Sequence, residues 1–196
     1  MRKQQREAIL ALLEETYMGT ETALNYSTPF ELLVAVIMSA QCTDERVNKI
    51  TARIFPKYNT PEKMGALSQE QLEEEIRDCG LFRSKAKNLL ATCKMLTEEY
   101  NSVIPDTVEE LMKLPGVGKK TANVVASIVY KVPAIAVDTH VFRVSHRLGL
   151  AKGDDPLAVE KELQKAIPKN KWSDAHHWLI WHGLSLIHIS EPTRLR

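Results

Sequence analysis

Leu114-Pro115-Gly116-Val117-Gly118-Lys119-Lys120-Thr121-Ala122 sets a Pro-Gly-x-Gly turn and a lysine pair immediately ahead of a run with helical spacing. Glycine admits backbone conformations closed to other residues and lets a second backbone come close. At the start of a helix, unpaired amides and the helix dipole favour an anion, and phosphate is the natural ligand. A plain helix-to-helix turn accounts for Pro115 to Gly118 alone; Lys119 and Lys120 are what point to a polyanion. Further along, Val137-Asp138-Thr139-His140-Val141-Phe142-Arg143 places Asp138 at the opening of another helix. There its side chain is suited to accept from a first-turn amide as an N-cap. A cap also fixes a carboxylate in one place, so capping and catalytic roles are compatible.

The elements that must position these groups are helical almost throughout. Ile9, Leu10, Leu12 and Leu13 share a helix face, as do Phe30, Leu33, Val34 and Ile37 behind Pro29 at a helix start. Val47, Ile50 and Ile54 form another, with Thr43 or Asp44 as cap and Pro56 beyond its end. Ser68-Gln69-Glu70-Gln71 is a capping box, and Leu89, Leu90, Met95 and Leu96 belong to a longer helix ending near Tyr100-Asn101. A short helix from Thr107 to Lys113 leads into the glycine turn; segments 117–129, 139–148, 157–167 and 172–181 supply the remaining helices. Only Val132 to Val137 reads as a strand, and Pro133 demotes it. The fold class expected is all-α, with about ten short helices packed as bundles. Trp172, Trp178 and Trp181 read as core. The adjacent His176 and His177, with His182, face different sides of their helix and read as packing groups, not metal ligands.

The balance of 26 basic against 25 acidic residues leaves a net charge of +1, but the distribution is uneven. From Lys113 to Lys152 there are seven basic residues and one acid, Asp138, and Arg83, Lys85, Lys87 and Lys94 form a second cluster. A near-neutral chain of this kind can present one basic face to a polyanion, although such charges also occur as ordinary solvated helix faces. With 44% hydrophobic and 26% charged residues the chain is of globular composition, not a mainly disordered one. No apolar run reaches a membrane span and no secretory leader is visible, so a cytoplasmic protein is expected. Cys42, Cys79 and Cys93 are odd in number and widely spaced, which excludes a disulfide framework and a Cys-x-x-Cys metal site.

The turn looks like a helix-hairpin-helix element, and with Val137-Asp138-Thr139-His140-x-x-Arg143 it resembles the helix-hairpin-helix/Gly-Pro-Asp DNA glycosylases, specifically the endonuclease III family. Met38-Ser39-Ala40-Gln41-x-Thr43-Asp44, Gly80-Leu81-Phe82-x-x-Lys85-Ala86 and His176-His177-Trp178-Leu179-Ile180-x-His182-Gly183 follow the family's pattern in the family's order. The resemblance implies a bifunctional enzyme of base-excision repair that flips an oxidised pyrimidine out of duplex DNA, releases it and cleaves 3′ to the abasic site. It implies Lys120 as the amine nucleophile, which must be neutral to attack, and therefore partly buried beside Lys119. It implies Asp138 as the catalytic carboxylate, Gln41 as the residue filling the gap left by the flipped base, and Leu81 as an apolar wedge. Gly116, Gly118, Lys119 and Thr121 would hold the DNA backbone, and His140 and Arg143 would contact phosphate or support Asp138. The partner implied is double-stranded DNA carrying a damaged base or abasic site, bound by a monomer.

The resemblance implies two helical lobes with DNA in a cleft: a barrel lobe over 21–131, with the hairpin at about 107–129, and a second lobe of 1–20 with 132–183. It stops after Gly183. Full-length family members continue with four cysteines holding a [4Fe–4S] cluster, and this chain has no cysteine beyond Cys93, so no cofactor is expected in it. Leu184 to Arg194 can be written back into the codons of a sequencing adapter, and 184–196 are read as a foreign tail, a natural cluster-free ending being the alternative. Two rival functions remain open. An adenine-mismatch glycosylase would typically lack lysine at position 120. A hairpin module that only binds DNA would need neither Lys120 nor Asp138.

Overall fold

A computed structural model of the chain describes residues 3–20 and 22–190. The described residues form α1 (Lys3–Tyr17), α2 (Pro29–Ser39), α3 (Asp44–Ile54), α4 (Pro61–Gly65), α5 (Gln69–Glu75) and α6 (Phe82–Glu99). They continue with α7 (Val108–Leu111), α8 (Lys119–Tyr130), α9 (Thr139–Arg147), α10 (Pro156–Ala166), a 3-10 turn (Lys169–Lys171) and α11 (Trp172–Ser190). No strand occurs among the described residues, and 132–137 runs as irregular chain with Ala134, Ile135 and Ala136 buried. The fold is all-α.

Short helices need their first amides satisfied, and the sequence supplies a side-chain cap at most starts. Thr28, Thr43, Thr60, Thr107, Asp138 and Asp155 each accept from the backbone amide three residues on. Pro29, Pro61 and Pro156 occupy first helical positions, where no amide is needed. Ser68 and Gln71 complete the reciprocal box: the Ser68 hydroxyl accepts from the Gln71 amide at 3.2 Å, and Gln71 Oε1 accepts from the Ser68 amide at 2.8 Å.

The chain divides into two compact units, Ala23–Tyr130 and Met1–Thr22 with Lys131–Arg196. In the first, α2 is buried at every position from Phe30 to Met38, as expected of a helix apolar on all sides. It packs against α3, α6 and α8; α4 and α5 cover α6, and α7 packs on α8. In the second unit α9 and α11 pair closely, with α1 on α11 and α10 on α9. The core there joins Leu13, Ile135, Val141, Val144, Val159, Leu163, Trp178 and Leu179. Gly183 lets α11 approach α9: a Cβ at that position would lie 3.1 Å from both His140 Cβ and Val144 Cγ2. Trp178 is core, as its spacing predicts, and the half-buried Trp172 donates its indole N–H to Ile167 O at 2.9 Å. α11 continues through Ser190; the last part of the tail, 191–196, lies outside the described residues.

Leu89 is fully buried in α6. Leu89→Ala should lower the unfolding free energy by about 2–5 kcal/mol and Ser68→Ala by about 1 kcal/mol, read from urea denaturation curves.

Candidate active site

The turn between α7 and α8 is tightly built. Gly116 has φ +79°, and a Cβ there would sit 2.9 Å from the Cβ and Nδ2 of Asn88 on α6, so both conformation and space require glycine. Thr92, one helical turn beyond Asn88, donates its hydroxyl to Pro115 O at 2.8 Å. The Val117 amide donates to Leu114 O and the Ala122 amide to Gly118 O, closing the turn and opening α8. Gly118 differs from expectation: its φ is not in the left-handed region and no atom lies within 4 Å of where its Cβ would be. Leu114, Val117 and Ala122 are buried and anchor the turn beneath, while Lys119 and Lys120 are exposed on the first turn of α8 and Thr121 is half-buried. The expected partial burial of Lys120 is therefore wrong. The turn before Lys120 is packed beneath, through Val117 and against Asn88 and Thr92, but the buried face of α8 begins only at Ala122. Successive residues point about 100° apart on a helix, so Lys119 and Lys120 face different directions.

Gln41 and Leu81 lie in two loops of the same unit. Both are exposed, Leu81 to 58%, and both hold left-handed backbone, with φ +53° and +59°. Leu81 stands at the N-cap of α6, where it supplies no side-chain cap. Neither residue type favours that conformation, and a largely exposed leucine gains little from burial. The two loops touch: a Cβ on Gly80 would lie 2.8 Å from Gln41 O. Asn88 and Thr92 were not singled out from sequence, and Lys85 entered only as a member of a motif and of a basic cluster; the 85–88–92 spacing along one face of α6 is the signal that could have linked them.

In the other unit Asp138 is the N-cap of α9, accepting the Val141 amide on Oδ1 at 2.8 Å, and it is half-buried. Arg143 Nη2 donates to Gly183 O at 3.1 Å and lies 3.4 Å from His140 Nδ1. Both side chains are thus turned toward α11, fixing the helix that carries Asp138. His177 Nδ1 donates to Ser173 O at 3.0 Å and His182 Nδ1 lies 3.1 Å from the Tyr17 hydroxyl, in local contacts rather than a ligand set.

An iron–sulfur cluster needs four thiolates. The cysteines of this chain do not fit one. Cys42 and Cys79 make one pair and Cys93 lies buried apart from them in the Ala23–Tyr130 unit; burial pushes the Cys79 thiol up, and it pushes that of Cys93 up to about 12. Among the described residues no three His, Cys, Asp or Glu side chains converge on a metal position, and no helix is long and apolar enough to cross a membrane.

Residues 34–169 match the profile of the HhH-GPD superfamily base excision DNA repair proteins. Endonuclease III of Rickettsia prowazekii (strain Madrid E) is 47% identical over 98% of this chain and 91% of its own length. That of Bacillus subtilis (strain 168) is 49% identical over 91% of this chain and 82% of its own. A solved structure of a trapped endonuclease III–DNA covalent intermediate, an estranged-adenine complex, superposes with a TM-score of 0.92 at 49% identity, covering 98% of this chain and 91% of that one. With the glycine turn, the two exposed loop residues and the capped aspartate carried on such a backbone, the chain belongs to the endonuclease III family of the HhH-GPD superfamily.

Proposed function

We propose that this chain is a bifunctional DNA glycosylase and abasic-site lyase of base-excision repair, acting on oxidised pyrimidines in duplex DNA. One observation carries the reading. Lys120 offers an exposed amine on the first turn of α8, directly after a turn whose far side is shaped by Gly116 against Asn88. A backbone phosphate held at the α8 N-terminus brings the sugar to that amine. Lys119 and Thr121 add a charge and a hydroxyl for the same strand, and the open space beside Gly118 admits its backbone.

Lys120 Nζ attacks C1′ of the flipped nucleotide. The bond to the base breaks, and the base leaves with the electron pair and a proton. The sugar ring opens and the amine becomes a Schiff base with C1′. The positive nitrogen then draws electrons as a proton leaves C2′, and the 3′ phosphate departs from C3′. The Asp138 carboxylate stabilises positive charge developing on the sugar and assists proton movement. The hydrogen bond it accepts from the Val141 amide fixes the carboxylate at the start of α9, and the Arg143 and His140 contacts to Gly183 keep α9 in place. Gln41, an amide able to donate and accept, meets the base left without its partner, and Leu81 enters the emptied step. No step runs through an iron–sulfur cluster. The setting proposed is the bacterial cytoplasm, on chromosomal DNA.

Borohydride trapping on an abasic-site duplex tests the reading. The chain should give a covalent adduct on a denaturing gel, Lys120→Ala should give none, and Asp138→Asn should slow base release much more than binding. A chain that binds the duplex and forms no adduct is a binding module or a monofunctional glycosylase, and the proposal fails. Gly116→Ala should lose roughly 1–2 kcal/mol of stability from the left-handed backbone alone, together with duplex affinity. Gly118→Ala should melt near the parent temperature while still weakening DNA binding; thermal melts and fluorescence anisotropy separate the two.

A further inference from the structure

Lys85 belongs to the sequence's second basic cluster, yet the structure buries it to 4% exposure. Its Nζ donates to Met38 O at 2.7 Å, to Ala40 O at 2.6 Å and to Cys79 Sγ at 3.2 Å. An ammonium has three N–H donors, and all three are used. Met38 and Ala40 end α2, where carbonyls have no helical partner and the dipole is negative. The backbone amide of the same lysine donates to Leu81 O at 3.0 Å. One residue is therefore bonded through its side chain to the carbonyl just before Gln41 and through its backbone to Leu81. Cys79 completes the arrangement: burial keeps its thiol protonated, and it donates to Met38 O at 3.4 Å while accepting from Lys85. Gly80 closes the gap, since any larger residue would push against Gln41 O.

Lysine is almost never fully buried unless its charge is satisfied, and here every acceptor is neutral. Besides capping α2, this arrangement fixes the distance between the two loops, which also approach each other at Gly80 and Gln41 O and through Cys79 and Cys42.

We propose that Lys85 is a positioning residue for lesion recognition, holding Gln41 and Leu81 in one relative geometry so that both enter the same base step of the duplex. The proposal rests on the reading of Gln41 and Leu81 as inserted residues. Two side chains that enter one step must be spaced to match a single unstacked gap, and an error of about an ångström in either is expensive. Lys85 touches no DNA in this scheme; it acts through the two loops. Abasic sugars in single strands are already accessible and need neither wedge nor gap filler.

The test uses the full chain, with borohydride trapping rates on the same abasic sequence in duplex and single-stranded form. Fluorescence of 2-aminopurine opposite a tetrahydrofuran abasic analogue reports unstacking in the duplex. Lys85→Met should lower duplex trapping on the order of 10- to 100-fold and remove most of the 2-aminopurine rise, while single-strand trapping stays within about twofold. Gly80→Ala, which separates the loops without leaving buried carbonyls unpaired, should give the same signature and decides the matter if Lys85→Met does not fold. An unchanged ratio of duplex to single-strand trapping, whether both rates hold or both fall, overturns the proposal. Leu81→Ala distinguishes the levels. If it too leaves the ratio unchanged, the insertion reading itself fails; if it lowers the ratio where Lys85→Met does not, only the positioning role fails.

Discussion

The central helix α2 is buried from Phe30 to Met38, and that burial forces a solution at each of its ends. A helix enclosed by protein cannot leave its terminal amides and carbonyls to water. At the amino end Thr28 accepts the Glu31 amide at 3.2 Å, and the Glu31 carboxylate, itself buried, reaches back to the Ser27 amide at 2.6 Å. At the carboxyl end the ammonium of Lys85 takes the carbonyls of Met38 and Ala40. A negative group sits at the positive end of the dipole and a positive group at its negative end, so both buried charges lie where the backbone field favours them. The rest of the Ala23–Tyr130 unit is arranged around this axis. α6 must lie close enough to lend Lys85, and in lying there it also presents Asn88 and Thr92 to the glycine turn.

That single helix therefore links features that are distant in sequence. Its first turn stands at the Leu81 loop and carries the lysine that holds the Gln41 loop; its next turns buttress Pro115 and Gly116. The sequence 85–88–92 follows helical spacing, and each position faces one of the segments assigned to DNA contact. The groups proposed to meet DNA can be exposed and conformationally unfavourable because the helix behind them is neither. In the other unit the same division holds on a smaller scale, with Asp138 capped on α9 and α9 pinned to Gly183 through Arg143.

Much of this was legible in the amino-acid sequence because helix starts advertise themselves. Thr43, Ser68 and Asp138 cap where their types and spacing say they should, and Gly116 takes the left-handed conformation for which glycine is chosen. What was not legible depends on neighbours brought in from elsewhere. Lys120 is exposed because the buried face of α8 begins only at Ala122, a matter of tertiary surroundings that lysine and its flanking residues do not encode. Gly118 has neither a left-handed backbone nor a crowded Cβ position, so the fold of the chain itself does not require glycine there. Lys85 belongs to a motif and to a basic cluster, but neither shows that its ammonium is buried at the end of α2; that emerges only when α2 is placed against α6, while the nearby Lys87 is exposed. Cys79 and Cys93 likewise look alike in sequence, and only the structure gives one a lysine and a second cysteine and buries the other without them.

Gln41 and Leu81 show most clearly how stability is spent on function in this fold. Each holds a backbone conformation that costs a non-glycine residue on the order of 1–2 kcal/mol. Leu81 in addition leaves 58% of its surface in water and caps α6 with no polar atom. An asparagine or glycine at either position would relieve the strain, and a serine or aspartate at 81 would cap the helix. A sequence that caps so many of its other helices with Thr, Ser or Asp omits the cap here, at a start that projects an apolar side chain outward. The omission is consistent with a wedge: a capping side chain folds back onto its own helix, whereas a leucine held in left-handed backbone by the Lys85 amide below it points away. The strain persists because the surrounding bonds over-determine the two loops, and those bonds converge on one buried ammonium.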